Sequence, residues 1–349
     1  MRPKLRRSRT VMVNQSYAMQ RVTGQQRYAM EIAGRLGASP PFRTVAPQGF
    51  WAGTTLRVWF WVSFVLPLLA GGAVVLSMTS RAPLWRRRHV LVIHDVFVLT
   101  HPEWYSRLYV LTHAPLLRLQ IRSAAALVAV SQPVADELAH LYDGPVMVAP
   151  NAPSRVFATD RSVATSETVP ALSTLGLTAG RYLLTVGSMD PRKNLPRLAR
   201  AYGSLPQEER AAHPLVVVGG GNAIYRSEQI DWPDEVVFAG YVTDEDLRQL
   251  YADALAVVFP TLAEGFGLPL VEAAAAGASG LVISDIPVFR WICGDDAHYV
   301  DPTSVSSIAA GLTAGIHEPR SQEINLDRFN WDSSAQVVAE LCLAVTGRD

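Results

Sequence analysis

Residues 256–277 read AVVFPTLAEGFGLPLVEAAAAG: four apolar residues, a loop with two glycines, then an apolar, alanine-rich stretch. The quartet at 256–259 has strand length and nothing polar, as expected of a strand buried on both faces. Pro269 stands where proline suits the first turn of a helix, so the sequence predicts a helix over 268–276. The same alternation continues outward. Strands are predicted at 182–186, 215–218, 236–238 and 280–284, with helices at 195–203, 244–252 and 305–314. Nearer the N-terminus, strands are predicted at 10–13, 73–77, 90–93, 127–130 and 146–149, with helices at 25–36, 106–121 and 133–141. Short apolar runs alternating with helices specify parallel sheets covered on both faces, here an α/β protein of two doubly wound, Rossmann-like domains facing across a cleft.

Length and charge agree with two domains. The chain has 349 residues, and a domain usually takes about 100–200. A looser Ser/Thr/Pro/Ala segment at 151–171 places the expected division at 1–170 and 171–330, with a helix at 331–343 packing back on the first domain. The first 180 residues carry 19 Lys and Arg against 8 Asp and Glu, and the remainder 12 against 23. A basic half suits an anionic partner such as lipid headgroups, though complementary charge also helps two domains dock. No nucleic-acid motif accompanies it, so nucleic acid is not an expected partner. With 49% hydrophobic and 18% charged residues the chain is neither disordered nor fibrous. Cys293 and Cys342 make no disulfide scaffold, and no Cys/His cluster has zinc-ligand spacing; a reducing, cytoplasmic setting fits. The basic start, MRPKLRRSR, precedes only three apolar residues, too few for a signal sequence.

Residues 58–78, VWFWVSFVLPLLAGGAVVLSM, carry no charge over a length that could span a bilayer. Pro67 and Gly71-Gly72 interrupt them, so they divide into an apolar helix over 56–66 and a buried strand over 73–77. Trp59, Phe60, Trp61 and Phe64, with basic residues nearby in sequence at Arg57, Arg81 and Arg86–Arg88, are expected to rest on an anionic membrane surface. Packing of this helix inside the first domain or against a partner chain is the alternative.

Two constellations follow predicted strands, where doubly wound sheets bind ligands. In VGSMDPRKN (186–194), a turn at Gly187 and Ser188 leads to Arg192 and Lys193 at the mouth of a helix, a good site for a diphosphate. In the opening stretch, Glu264 lies in the loop and Glu272 eight positions on, about two turns into the helix; carboxylates there suit sugar hydroxyls. A capping Glu264 and a solvent-facing Glu272 fit the bare residues equally well. Gly265 and Gly267 let a ligand reach the backbone. Asp244-Glu245-Asp246 matches an Asp-x-Asp metal pattern, but Thr243 three residues before Asp246 reads as a helix cap. Gly219-Gly220-Gly221 is a weak dinucleotide signal, with Gly220 clearing space near a nucleotide base, and Ser131 lacks the context of a hydrolase nucleophile.

The spacing from Glu264 to Glu272 in EGFGLPLVEAAAAG, together with VGSMDPRKN, resembles glycosyltransferase family 4, the retaining enzymes of the GT-B fold. TGQQRYAMEIAGRL and VIHDVFVLTHPEW also fit, and the likeness runs from Val11 to Pro302. The resemblance implies that Arg192 and Lys193 neutralise the donor diphosphate, that Glu272 holds the ribose, and that Glu264 and the amides around Phe266-Gly267-Leu268 hold the sugar. It further implies that Gly24 lets the first domain approach the diphosphate, and that His94 sits near the reacting sugar, oriented by Asp95. PRKN with EGFGLP resembles mannosyltransferases of bacterial polysaccharide assembly. The chain departs from the family beside the donor pocket, at 278–283 and at Phe289-Arg290-Trp291.

The expected activity is therefore metal-independent, cofactor-free, retaining hexosyl transfer, with GDP-mannose the favoured donor and a glycan or lipid-linked acceptor. The enzyme is expected on the cytoplasmic face of the membrane. A nucleotide-sugar epimerase and an inactive scaffold are the alternatives, and donor turnover with and without acceptor separates them.

Overall fold

The computed structural model describes residues 10–19, 23–37, 40–158, 170–188, 190–219, 230–318 and 324–347. The strands among them are β1 (Val11–Asn14), β2 (Phe42–Val45), β3 (Val74–Ser77), β4 (His89–Ile93), β5 (Ala126–Ala129), β6 (Val146–Val148), β7 (Leu183–Val186), β8 (Leu215–Val218), β9 (Val236–Gly240), β10 (Ala256–Phe259), β11 (Leu281–Ser284) and β12 (His298–Val300). The chain divides into two units. The first comprises residues up to Pro102, Arg107–Asn151 and Phe329 onward; the second comprises Glu103–Ser106 and Ala152–Arg328.

Each unit is built on one parallel six-stranded sheet. The strand order is β2-β1-β3-β4-β5-β6 in the first and β12-β11-β10-β7-β8-β9 in the second. In the second sheet the chain winds outward through β8 and β9, then returns to lay β10 against the other side of β7. The loops after β7 and β10 therefore leave the sheet side by side at this reversal, the position at the strands' carboxyl ends where doubly wound sheets bind ligands. The first sheet reverses in the same way between β1 and β3. The central strands β3, β5, β8, β10 and β11 are buried throughout, as their unbroken apolar runs require. Two strands were not predicted, β2 (FRTV) and β12 (HYV). Both are sheet edges with one neighbour each, so neither needs a continuous apolar run.

In the first unit the terminal helix Trp331–Gly347 lies against the helix Gly24–Leu36. The Tyr28 and Trp331 rings meet edge-on at 5.8 Å, Arg35 pairs with Asp332 at 2.6 Å, and the Ser334 hydroxyl donates to the Pro150 carbonyl at 2.7 Å.

Residues 55–70 form one continuous helical run: Thr55–Phe60, a wider π-helical turn Trp61–Val65, then Leu66–Ala70. The Leu66 amide donates to the Trp61 carbonyl, five residues back. Val58, Val62, Leu66 and Ala70, each four apart, are buried with Trp61 against Val75 of β3 and Met12 of β1. This corrects the expected membrane contact of Trp61, which is 2% exposed and belongs to the core. Trp59 is half-buried, its ring 6.3 Å from that of His113. Two of the nearby arginines also turn inward. Arg81 is buried, and Arg86 donates to the carbonyls of Pro67 and Gly71, both at 2.9 Å, tying down the end of the helix. No helix among the described residues is long and apolar enough to cross a membrane.

His89 opens β4 fully buried, with neither ring nitrogen hydrogen-bonded. Burial, reinforced by Arg86, pushes its pKa down to about 3. The unfolded chain then binds a proton that the native state refuses, so stability is complete above pH 6.5 and declines as pH falls toward 3. This one group should remove about 2 kcal/mol between pH 7 and 5. Urea unfolding of His89→Leu at the two pH values should lose that difference. An unchanged acid limb would assign it to other groups.

Candidate functional site

The candidate site of the second unit is built from two loops. After β7, Gly187 and Ser188 lead to Asp190, whose carboxylate accepts from the Arg192 amide at 2.9 Å and caps the single turn Pro191–Lys193. Asn194 follows in the left-handed conformation (φ 59°), which ends that turn and lets the helix Leu195–Gly203 start in a new direction. Its buried side-chain amide donates to the Pro260 carbonyl at 2.8 Å and the Pro302 carbonyl at 2.7 Å. The loops after β7, β10 and β12 are thereby held together. Thr261 adds a bond from its hydroxyl to the Arg192 carbonyl at 2.7 Å, and the Leu262 amide donates to the same oxygen at 2.7 Å.

These bonds bring Lys193 Nζ to 2.5 Å from Glu264 Oε1, both side chains being largely buried. The Lys193 stem lies over Gly187, where an added Cβ would meet its methylenes at 3.2 Å. Arg192 is turned differently. Its Nε and Nη2 donate to Asp190 Oδ2 at 2.8 and 2.5 Å, and Asp190 is almost fully buried. The guanidinium is thus anchored by its own loop, while Lys193 is placed against the residue carried by β10.

The helix Leu268–Ala275 starts at Gly267, whose φ of 87° only glycine adopts easily; a Cβ there would also come within 2.9 Å of Phe289. Gly267 and Leu268 therefore point the first amides of a helix, which lack intrahelical acceptors, beside Glu264. The Phe266 ring is buried and packs at 6.2 Å from Trp291. Because the helix begins at Leu268, Glu272 lies about one turn in, which corrects the expected two. It is 6% exposed, so the solvent-facing alternative falls. The burial of Tyr251, and to a lesser extent the Glu272 charge, pushes that phenol's pKa well above its usual value.

Gly220 lies outside the described residues. Its neighbour Gly219 closely approaches the β7 loop: an added Cβ would stand 2.1 Å from the Gly187 carbonyl oxygen. Asp246 is engaged at a helix end, where its amide donates to the Thr243 hydroxyl at 3.1 Å and its carboxylate accepts from it at 2.8 Å. Ser131 likewise caps a helix, accepting from the Val134 amide at 3.3 Å.

In the first unit, His94 follows β4 and its Nε2 lies 2.9 Å from the Met78 carbonyl after β3. A carbonyl only accepts, so Nε2 carries the proton and Nδ1 the lone pair. Burial lowers the His94 pKa and keeps the ring neutral. The edge of Tyr28 meets the ring at 5.2 Å. Met78 and Tyr28 therefore help set its orientation, and the Asp95 carboxylate, whose charge acts on the ring, accepts from the Phe97 amide at 3.3 Å. Gly24 heads the helix Gly24–Leu36, where an added Cβ would meet nothing within 4 Å. The fold itself does not demand glycine there.

Sequence reasoning missed Asp190, Asn194 and Thr261. Asp190 had a local signal, a short acidic residue just before a proline that opens a helical turn. The partners of Asn194 and Thr261 are 66 to 108 and 69 residues away, and nothing local announces them.

Comparison with known proteins accords with this geometry. Residues 177–327 match the family model described as "Glycosyl transferases group 1". The chain is 31% identical over 274 residues to the O-antigen chain mannosyltransferase B of Escherichia coli, covering 70% of this chain and 68% of that protein. Among solved structures, it resembles sucrose-phosphate synthase from Thermosynechococcus elongatus with a TM-score of 0.70 at 17% identity, over 95% of this chain and 98% of that one. It also resembles WaaG, described as a glycosyltransferase involved in lipopolysaccharide biosynthesis, with a TM-score of 0.66 at 18% identity, over 97% of this chain and 100% of that one. Two Rossmann-like sheets of six strands are the GT-B architecture of those structures.

Proposed function

Because this chain belongs to the group 1 glycosyltransferases, we propose that it transfers a hexose from a nucleotide-diphosphate sugar to a glycan or lipid-linked acceptor in cell-surface polysaccharide assembly, with retention of anomeric configuration and without a metal ion. Mannose from GDP-mannose is the favoured donor, supported by the O-antigen mannosyltransferase relative. The observation that carries the proposal is the meeting of Lys193 and Glu264 at 2.5 Å, on the two loops that leave the second sheet at its reversal.

In this reading the bond between the sugar's anomeric carbon and the diphosphate breaks, and the nucleoside diphosphate leaves with the electron pair. Lys193 stabilises the charge developing on it, aided by Arg192 on its Asp190 anchor and by the amides of Gly267 and Leu268. Glu264 holds sugar hydroxyls and Glu272 the ribose. The acceptor hydroxyl attacks from the face the diphosphate vacates, and its proton passes to the leaving phosphate oxygen. His94, neutral and with its Nδ1 lone pair available, suits a contact to a sugar hydroxyl. Metal independence is supported by the structural use of Asp246, bonded to Thr243.

The test is a panel of nucleotide-diphosphate sugars read by melting shift and by nucleoside diphosphate release with and without acceptor. A donor at a hundredfold excess over its Kd should stabilise by about 2.7 kcal/mol, and release should persist in EDTA. Interconversion of the sugar without acceptor, or activity lost in EDTA and restored by manganese, would overturn the proposal in its respective part. Glu272→Gln should raise the donor KM about tenfold with kcat little changed, because a ribose contact is made equally in ground and transition states. A fall in kcat at constant KM would instead place Glu272 at the reacting sugar.

A further inference from the structure

The helical run 55–70 carries a second row, also spaced by four, on the side away from the core. Leu56, Phe60, Phe64 and Leu68 are 80%, 50%, 42% and 81% exposed. A spacing of four would drift around an α-helix of 3.6 residues per turn; the π-helical turn Trp61–Val65 widens the helix in its middle and counters that drift. The apolar row continues sideways as a chain of ring contacts. Phe50 meets Trp51 at 5.3 Å, Trp51 stacks on Phe60 at 5.7 Å, Phe60 meets Phe64 at 4.7 Å, and Phe64 meets Trp85 at 5.1 Å. Most of these large side chains stand in the open with one another as neighbours, an arrangement a monomeric surface rarely maintains.

Charge identifies the partner. Between Glu31 and Asp136 the chain carries ten arginines and only two carboxylates, Asp95 and Glu103. Arg57, its guanidinium 4.1 Å above the Phe50 ring, and Arg87 are exposed beside the apolar row. The helix Arg107–Ser123, joined to the row through the Trp59–His113 contact, exposes Arg107, Arg118 and Arg122 together with Leu108 and Leu111. We infer that this face docks on an anionic phospholipid surface, with Phe60, Phe64, Leu68 and Trp85 entering the headgroup boundary and the arginines meeting lipid phosphates. A second copy of the chain is the weaker partner, since a two-fold contact would set this arginine-rich face against itself.

Co-sedimentation of the full chain with phosphatidylcholine vesicles, with and without phosphatidylglycerol, tests the inference. The wild type should partition onto the anionic vesicles, less so as salt rises. Phe60→Ser/Phe64→Ser/Leu68→Ser should lower that partition about tenfold or more. Arg57→Glu/Arg87→Glu should lower it at least as much on anionic vesicles. Phe238→Ser, an exposed aromatic of the second unit, should change nothing. All these positions are exposed, and a melting midpoint near that of the wild type checks that each variant is folded; the charge reversal serves if the triple variant is not. Wild type remaining in the supernatant with both vesicles, either variant sedimenting like wild type, or a lipid-free dimer that the triple variant dissolves would each overturn the inference. Donor-induced melting shifts are read separately, so failure here leaves the sugar-nucleotide site standing.

Discussion

Replacing Lys193 by alanine is expected to lower kcat by ~10²–10³-fold, the cost of removing one preorganised group from a developing charge, while the chain stays folded. The side chain is fixed at both ends: its stem lies over Gly187 and its ammonium meets Glu264. A charge held in place in a partly buried site needs no reorganisation when the diphosphate leaves, which is why its effect falls on the transition state more than on donor binding. The donor KM should therefore move much less than kcat. Lys193→Met keeps the stem over Gly187 and removes only the ammonium, so it should lose nearly as much. Single-turnover kinetics with saturating donor give the measurement. Wild-type kcat in both variants would mean that the diphosphate is bound elsewhere.

The second large effect is on stability. Gly219→Ala places a Cβ 2.1 Å from the Gly187 carbonyl oxygen, at a φ of 121° that alanine rarely adopts. The obstructing atom is backbone at the end of β7, so no rotamer change relieves it. The cost should be ~2–3 kcal/mol, a fall in melting midpoint of roughly 5–10 °C. Displacing Gly187 also disturbs the surface on which Lys193 lies, so turnover should fall in the fraction that remains folded. Gly240→Ala is the control. Its φ of 65° also disfavours alanine, but a Cβ there meets nothing within 4 Å, and only the ~1–2 kcal/mol of conformational strain should appear. Equal midpoints for the two variants would show that the contact at Gly187 is relieved without cost.

Several features of this protein were already present in local sequence. Uniformly apolar quartets such as Leu215–Val218 and Ala256–Phe259, recurring between helical stretches, read as buried strands of a parallel sheet, so class and repeated strand–helix order followed from the local pattern. The loops carrying Arg192, Lys193 and Glu264 were legible because a ligand-binding loop in such a sheet follows a strand directly. What sequence could not supply was anything decided by distant partners. Edge strands β2 and β12 depend on a neighbour more than on their own residues. Arg192 and Lys193 are adjacent and alike in charge, yet one turns to Asp190 within its own loop and the other to Glu264, 71 residues on. Trp59, Phe60, Trp61 and Phe64 read as one aromatic cluster, and only packing against β1 and β3 separates the buried Trp61 from the exposed Phe60 and Phe64. Local sequence determines which element a residue joins, because backbone preference and periodicity act over a few positions. Which way its side chain faces is decided by the neighbours that the fold brings alongside, and that is a property of the tertiary structure alone.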